Sequence, residues 1–168
     1  MPHIHKAFDF VVSVFIVNRG KVLLVHHKNY GRWLPIGGHI ELDEDPEQAL
    51  YREIREECGL PVRILAEKQP VSGNGVKAVL RPSYVDVHPI KGKHRHIAFV
   101  YFGRSAHRRV KLHEREHSAF RWFTRRELGA RRYGISKSIR FYCLQALKTV
   151  GDKGKLNQET DHLIVSGT

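Results

Sequence analysis

The chain has 168 residues, a length that suits one domain with a core of ordinary size. It carries 29 Lys+Arg and 17 Asp+Glu, a formal net charge of +12, and its hydrophobic share of 41% excludes a wholly disordered chain. No apolar run is long enough to span a membrane, and two cysteines exclude a disulfide framework. We therefore expect a soluble, cytoplasmic protein with no membrane partner.

The first part of the chain predicts two strands and a loop. Residues 8–17 are rich in Val, Ile and Phe, which is typical of a buried strand. Residues 21–27 predict a second strand, and the Asn-Arg-Gly turn between the two favours a hairpin. A loop with several glycines and a proline follows over residues 28–38.

A helix is predicted over residues 46–58. Asp45 can serve as its N-cap, Pro46 suits the first helical position, and Gln48 can complete a capping box. Gly59 is placed to end the helix. Apolar residues at helical spacing predict its buried side: Ala49, Leu50, Ile54 and Cys58.

The second half of the chain predicts short strands and one more helix. A helical apolar stripe predicts the last helix over residues 135–150. Pro82 and Pro89 interrupt the middle of this half and leave the strand pairing there open. The predicted strands cover residues 62–67, 76–87, 96–102 and 119–123.

Strands with two separated helices predict a mixed α/β or α+β domain with a mixed sheet. We place this single domain at residues 1–150, followed by a polar C-terminal tail at residues 151–168. The oligomeric state is left open, and a homodimer is compatible with the sequence.

Three glutamates on the first helix are candidate metal ligands. Glu53, Glu56 and Glu57 stand at i, i+3 and i+4, so their carboxylates share one helix face. Such like-charged neighbours each cost about 0.2–0.5 kcal/mol in a bare helix, and a bound divalent cation would offset this repulsion. Carboxylates are the ligands that suit Mg²⁺ or Mn²⁺. The same pattern also fits a solvated acidic face, and the glutamates alone do not separate the two interpretations.

The spacing around these glutamates is more specific. It follows G-x5-E-x7-R-E-U-x-E-E-x-G-U, with U an aliphatic residue, and it resembles the complete signature of the Nudix hydrolase superfamily from Gly38 to Leu60. Trp33-Leu34-Pro35 ahead of it also fits this family, as does Arg121-Trp122-Phe123 near the end of the domain. The fixed positions are occupied by Gly38, Glu44, Arg52, Glu53, Ile54, Glu56, Glu57, Gly59 and Leu60.

The resemblance implies both a fold and a reaction. The fold is an α/β/α sandwich in which the motif forms a loop, a helix and a loop. The reaction is MutT-like: water attacks a phosphoanhydride in a nucleoside diphosphate linked to another group, with Mg²⁺ or Mn²⁺ as cofactor. The substrates of such nucleotide pyrophosphatases include nucleoside triphosphates, oxidised nucleotides and nucleotide sugars.

The resemblance also implies residue roles. Glu53 would bind metal and is a candidate base for the attacking water, while Glu44 and Arg52 would support and orient this set. Gly38 would let its backbone approach the metal closely. Metal would further be held by Glu56 and Glu57. Many family members draw one more acid from a later loop, for which Glu114 and Glu116 are the candidates and Glu116 the one selected.

Substrate-binding residues are harder to identify from the sequence. The aromatic rings of Trp33 and Tyr30 lie near the motif in the chain and are candidates to stack on a nucleotide base. Aromatic residues also serve as packing residues, so this assignment rests on residue type and position alone.

Two alternative functions remain open. The segment His113-Glu114-Arg115-Glu116-His117 matches the H-E-x-x-H pattern of zinc metallopeptidases, which requires a helix to bring both histidines to one face. Between residues 103 and 140, twelve Lys+Arg stand against three acids with aromatics between them. This segment would suit a nucleic-acid-binding module, or a Nudix enzyme acting on RNA 5′ ends.

Overall fold

The fold consists of one seven-stranded sheet and two α-helices within the part of the chain that the structure describes. That structure is a computed structural model, and it describes residues 7–71 and 73–153. The strands are β1 (Phe8–Asn18), β2 (Lys21–His27), β3 (Arg32–Leu34), β4 (Arg63–Ile64), β5 (Tyr84–Lys91), β6 (His94–Arg104) and β7 (His117–Thr124). The helices are α1 (Pro46–Glu57) and α2 (Lys137–Lys153), with short 3-10 turns at Glu127–Gly129 and Arg131–Tyr133.

The sheet is mixed. Among the described strands, one pair at the centre of the sheet is parallel and the other pairs are antiparallel. Strand β1 runs parallel to β6, from the pair Phe8–Arg95 to the pair Val17–Arg104. The main path of the sheet is β3-β2-β1-β6-β4, while β5 pairs with β6 and β7 pairs with β2. The hairpin of β1 and β2 is paired only near its turn, so the rest of β1 is open to the loop that follows β3.

The two helices cover opposite faces of the sheet. The predicted stripe of α1 is fully buried and packs into one core cluster with alternate residues of β1, such as Val12 and Val14. Cys143 and Ala146 of α2 pack into the second cluster, which contains the β1 residues of the other parity, such as Phe15. Since side chains alternate across a strand, these clusters lie on the two faces, and the predicted mixed α/β class is confirmed.

The middle of the chain differs most from the sequence prediction. Residues 76–83 do not form the first half of a strand, because β5 begins only after Pro82, at Tyr84. β5 pairs only with β6 among the described strands, and Val85 and Val87 are more than half exposed, as in an edge strand. An edge strand also tolerates Pro89, beside which the register shifts.

The C-terminal helix extends past its predicted end. Helix α2 continues to Lys153, so the predicted polar tail at 151–168 begins inside the helix, and residues 154–168 lie outside the described residues. Among residues 7–71 and 73–153, no helix is long and apolar enough to cross a membrane.

Helix α1 begins with the predicted capping box. Asp45 Oδ1 accepts hydrogen bonds from the Glu47 and Gln48 amides at 2.8 and 3.0 Å. Gln48 Oε1 in turn accepts from the Asp45 amide at 2.9 Å. These bonds satisfy amide groups that the first turn of a helix otherwise leaves unpaired. They fix the start of the helix that carries the predicted metal ligands.

Replacing Asp45 by Ala should lower the free energy of unfolding by about 1 kcal/mol, because the cap bonds are lost. Urea denaturation of both proteins measures this difference. Asp45 also forms an ion pair with Lys77, so Lys77→Ala is the matched control. Lys77 is largely exposed, and its replacement should change stability little. An equal loss in both variants would attribute the effect to the ion pair instead of the cap.

Candidate active site

The loop that carries Gly37 and Gly38 lies along β1 like a further strand. The Val14 amide donates to the Ile36 carbonyl at 2.8 Å, and the Val12 amide donates to the Gly38 carbonyl at 2.9 Å. The Ile40 amide then donates to the carbonyl of Phe10 at 2.9 Å. This pairing uses the stretch of β1 that β2 leaves open, and it holds the loop beside α1.

A Cβ atom at either glycine would overlap a neighbouring atom. A Cβ atom at Gly37 would stand 2.1 Å from the Val12 carbonyl oxygen, at a φ of +148° that other residues rarely adopt. A Cβ at Gly38 would stand 2.3 Å from Glu53 Oε1. The Glu53 carboxylate therefore rests directly against the backbone of the loop.

Arg52 gathers the acidic side chains of the site. Its Nε and Nη2 atoms donate to both oxygens of Glu44 at 2.7 and 2.9 Å, a bidentate pair. Its Nη1 donates to Glu53 Oε1 at 2.7 Å and to Glu56 Oε2 at 3.3 Å, and Nη2 also donates to the His39 carbonyl. The hydrogen bond from Arg52 holds the pKa of Glu44 below its usual range. Four residues that were predicted from the motif are thus in direct contact.

The carboxyl group of Glu53 has a higher pKa than a glutamate usually has. Its side chain is only 12% exposed, and this burial, with repulsion from Glu57 and Glu56, raises its pKa to about 7. The hydrogen bond from Arg52 acts in the opposite direction but does not prevail. A carboxyl group with a pKa close to neutrality can accept a proton from water and release it again at physiological pH.

Glu57 is the most buried of the three helix glutamates and is 4% exposed. Its Oε2 accepts a hydrogen bond from the Gly37 amide at 2.9 Å. Its Oε1 lies 2.9 Å from Nε2 of His117, at the start of β7. His117 thus joins the site, although the zinc-peptidase pattern is the only role that the sequence suggests for it. In the sequence, its position directly after Glu116 is the one feature that could have indicated a place in this site.

Atoms that could ligate a metal converge at Glu57 from three residues. One ligand atom each from Glu57, Glu116 and His117 lies within 4.8 Å of the others, so the Glu116 side chain lies near Glu57. Among residues 7–71 and 73–153, the trio Glu53, Glu56 and Glu57 does not meet this criterion. Arg52 binds the carboxylates of Glu53 and Glu56, whereas the Glu57 carboxylate contacts Gly37 and His117.

The donors of this site fit a hard divalent cation. Glu53, Glu56, Glu57 and Glu116 supply carboxylate oxygens, the preferred ligands of Mg²⁺ and Mn²⁺. The Nδ1 atom of His117 is buried and has no hydrogen-bond partner among the described residues.

The two aromatic candidates for base binding differ in their surroundings. Trp33 is half-buried, and its ring packs edge-on against Phe123 at 5.0 Å and Tyr133 at 6.5 Å. Tyr30 is 49% exposed, and its ring lies 4.6 Å from the ring of His27. The His27 ring is 5.4 Å from that of His117, so Tyr30 stands at the outer end of a row of rings that leads to Glu57.

The H-E-x-x-H segment lacks the geometry of a zinc peptidase. Residues 114–116 form a turn and His117 begins β7, so no helix brings the two histidines to one face. Nδ1 of His113 lies 3.4 Å from Glu116 Oε1, while Nε2 of His117 contacts Glu57. The metallopeptidase hypothesis is therefore wrong, because its required helix is replaced by a turn and a strand.

The basic segment between residues 103 and 140 presents its cations on the surface. All twelve of its lysines and arginines are exposed. Some of them lie over aromatic rings, with the Arg121 guanidinium 5.1 Å from the Tyr133 ring centre and Arg108 5.8 Å from that of Trp122. This surface has the charge and the aromatic contacts that were predicted for binding a polyanion.

Comparison with known proteins gives a consistent match. The model of the NUDIX domain matches residues 8–145. The crystal structure of a NUDIX-family hydrolase from Clostridium perfringens superposes with a TM-score of 0.74 at 32% identity, covering 88% of this chain and 99% of that one.

Two curated proteins are similar over shorter regions. The CTP pyrophosphohydrolase of Escherichia coli is 34% identical over 100 residues, which are 54% of this chain and 73% of that protein. The RNA pyrophosphohydrolase of Acinetobacter baylyi is 42% identical over 60 residues, 33% of this chain and 36% of that protein. The curated relatives are thus matched over 36% to 73% of their own length.

Proposed function

The chain belongs to the NUDIX domain family, and on that premise we propose that it is a metal-dependent pyrophosphohydrolase of nucleotide-type substrates. The observation that carries this proposal is the contact of the Glu53 carboxylate with both Arg52 and the Gly38 backbone. The pKa of Glu53, about 7, supports its assignment as the base beside the proposed metal ligands.

The metal site would be formed by side chains that the motif and β7 bring together. Glu56, Glu57 and Glu53 would supply oxygens from α1, and Glu116 would supply one from the turn before β7. The Gly38 carbonyl accepts one hydrogen bond and retains a second lone pair for a ligand. When bound, Mg²⁺ or Mn²⁺ would neutralise phosphate charge and make a bound water more acidic.

The side chains around this site have complementary tasks. Glu53 would take the proton of the attacking water, and Arg52 holds the carboxylate in position through its Nη1 bond. Glu44 orients Arg52 by a bidentate pair. His117 and the Gly37 amide hold Glu57, one on each carboxylate oxygen. None of these four contacts depends on the identity of the substrate base.

The substrate class follows from the family and from charge. A protein with a net charge of +12 attracts polyanions, and a phosphoanhydride linked to a nucleoside is the substrate type that the motif implies. The exposed Tyr30 ring is better placed than the packed Trp33 ring to stack on a base. A similar enzyme acts on CTP according to its name, which makes CTP the first nucleotide to test.

The test is a panel of substrates with and without metal. The purified protein is given CTP and the other nucleoside triphosphates, oxidised dNTPs, nucleotide sugars and ADP-ribose, and the release of pyrophosphate or phosphate is measured. We expect turnover of at least one of them that needs Mg²⁺ or Mn²⁺ and stops with excess EDTA. Turnover that persists in EDTA, or none on any substrate by folded protein, would contradict the proposal.

A second candidate substrate is the 5′ end of RNA. The twelve exposed cations of residues 103–140 and the similarity to an RNA pyrophosphohydrolase both favour it. A 5′-triphosphate RNA should then be cleaved with a much lower KM than the free nucleotide triphosphate, and this advantage should shrink steeply as salt rises. Equal KM values for RNA and for the free nucleoside triphosphate at low salt would contradict this second candidate and favour the free nucleotide as the substrate.

A further inference from the structure

A second group of metal-ligating side chains lies outside the site of the glutamates. One ligand atom each from Asp9, His94 and His96 lies within 4.8 Å of the others. Asp9 stands at the start of β1, and both histidines stand at the start of β6. Two imidazoles and a carboxylate form a different donor set from the all-oxygen set of the motif.

The sheet itself brings these three residues together. His94 and His96 are two residues apart on one strand, so their side chains point to the same face. Asp9 is the direct partner of His96 in the parallel pair of β1 and β6. The arrangement therefore depends on the two central strands of the fold and not on a mobile loop.

This group lies on the sheet face opposite to α1. Val11 and Ala98 follow Asp9 and His96 at the next positions of the same parity, and both belong to the core beneath α2. The buried residues of α1 belong to the other core. The sheet thus stands between this group and the glutamates of the motif.

Two further histidines surround the group. His39 Nε2 lies 3.6 Å from Asp9 Oδ2, the oxygen that His94 Nε2 approaches at 3.1 Å. The rings of His39 and His88 lie 4.9 and 5.5 Å from the ring of His96. Four imidazoles and one carboxylate therefore share a small region of the surface.

His88 is held in the way that metal-binding histidines usually are. Its Nδ1 lies 2.8 Å from Asp86 Oδ1, and the other Asp86 oxygen accepts a hydrogen bond from the Tyr142 hydroxyl at 2.6 Å. A carboxylate at Nδ1 favours the tautomer with its proton there and leaves Nε2 as the ligand atom. Tyr142 belongs to α2, so the helix fixes this outer contact.

His96 is well prepared to act as a ligand. It is 8% exposed, and its ring lies within 5.5 Å of the rings of His39, His88 and His94. Imidazole nitrogens are donors that ions of the Zn²⁺ type accept.

We propose that Asp9, His94 and His96 bind a divalent transition-metal ion of the Zn²⁺ type, with His39 and His88 as neighbouring donors. Imidazole with carboxylate suits Zn²⁺ and related ions, whereas Mg²⁺ prefers oxygen ligands. The site is separate from the cation site of the motif, and it does not rest on the proposed hydrolase activity.

The experiment is a calorimetric titration of the metal-free protein with Zn²⁺ in the presence of excess Mg²⁺, which occupies oxygen sites. We expect one tightly bound Zn²⁺ in the wild type. The loss of a group that only orients a ligand costs about 10–100-fold in affinity, so His94→Ala, which removes a ligand, should cost at least that much. His107→Ala is the matched control, because His107 is exposed and belongs to neither group.

Two further variants separate this site from folding effects and from the motif. Asp9→Asn tests the carboxylate at a half-exposed side chain, so that buried His96 need not be altered. Glu57→Gln should keep Zn²⁺ binding, and a loss there would move the ion to the motif and overturn the proposal. Absence of binding in the wild type, or unchanged affinity in both His94→Ala and Asp9→Asn, would also overturn it.

Discussion

Glu53→Gln should reduce metal-dependent turnover by about 10²–10⁴-fold, the usual contribution of a general base. Glutamine has the size of glutamate and an oxygen that can still accept from Arg52 Nη1, but it cannot take a proton. It also replaces one of the proposed metal ligands by a neutral amide. Glu53 is a cleaner test than Glu57, because Glu57 accepts from Gly37 and contacts His117, so its amide would lose one of two buried contacts.

The same role for Glu53 predicts the direction in which the activity of the wild type changes with pH. With no cation beside it, Glu53 has a pKa of about 7, and its carboxylate fraction rises as pH rises through that value. A bound divalent cation favours the charged form and moves this pKa below 7. We therefore expect kcat/KM to rise with pH on an acid limb centred below pH 7 and to level off above it. Glu53→Gln should lack this limb.

Initial rates at saturating Mg²⁺, with the best substrate of the panel, measure the effect. Glu114→Gln is the matched control, because Glu114 is an exposed acid just before β7 and, unlike Glu116, it belongs to neither group of converging metal-ligating atoms. It should retain wild-type turnover. A Glu53→Gln variant that folds normally and keeps its rate within a few-fold would assign the base to another residue.

The parts of the site that could be predicted from the sequence are local ones. The capping box of Asp45 and Gln48 depends on residues three apart, and the face shared by Glu53, Glu56 and Glu57 depends only on helical periodicity. Both signals are complete within one element, so no knowledge of the sheet was needed. The boundaries of β2 were predicted for the same reason, since a turn and an apolar run define them.

The remaining features depend on contacts between distant parts of the chain. His117 and Glu57 are sixty positions apart, and only the pairing of β7 with β2 brings the start of β7 to α1. Asp9 and His96 meet because β1 and β6 are parallel neighbours. A single sequence contains the residues but not this strand order, so neither pair could be predicted from spacing.

The error over residues 76–87 has a similar cause. The apolar residues Val76 and Val79 suggested a strand, but a strand needs a partner whose register it can follow. In the structure β6 offers that register only from Tyr84 onward. Position in the sheet, and not composition, sets the start of β5.

Gly37→Ala should lower the free energy of unfolding by about 3 kcal/mol or more, because it combines steric overlap with an unfavourable φ. Its Cβ would overlap the Val12 carbonyl oxygen, only 2.1 Å away. To relieve this overlap, the loop must move off β1. That movement would break the bond between the Val12 amide and the Gly38 carbonyl and would weaken the bond from Gly37 to Glu57. Stability and turnover should therefore fall together.

Gly20→Ala is the control that separates the two causes. Gly20 also has a positive φ, at +72°, but a Cβ there would meet nothing within 4 Å. Its replacement should cost only about 1–2 kcal/mol, the penalty of the left-handed conformation, and should leave turnover unchanged. Urea denaturation and initial rates for both variants give the comparison. Equal losses of stability would show that conformation alone restricts Gly37, whereas a larger loss at Gly37 would show that the contact of this loop with β1 holds Glu57 in place.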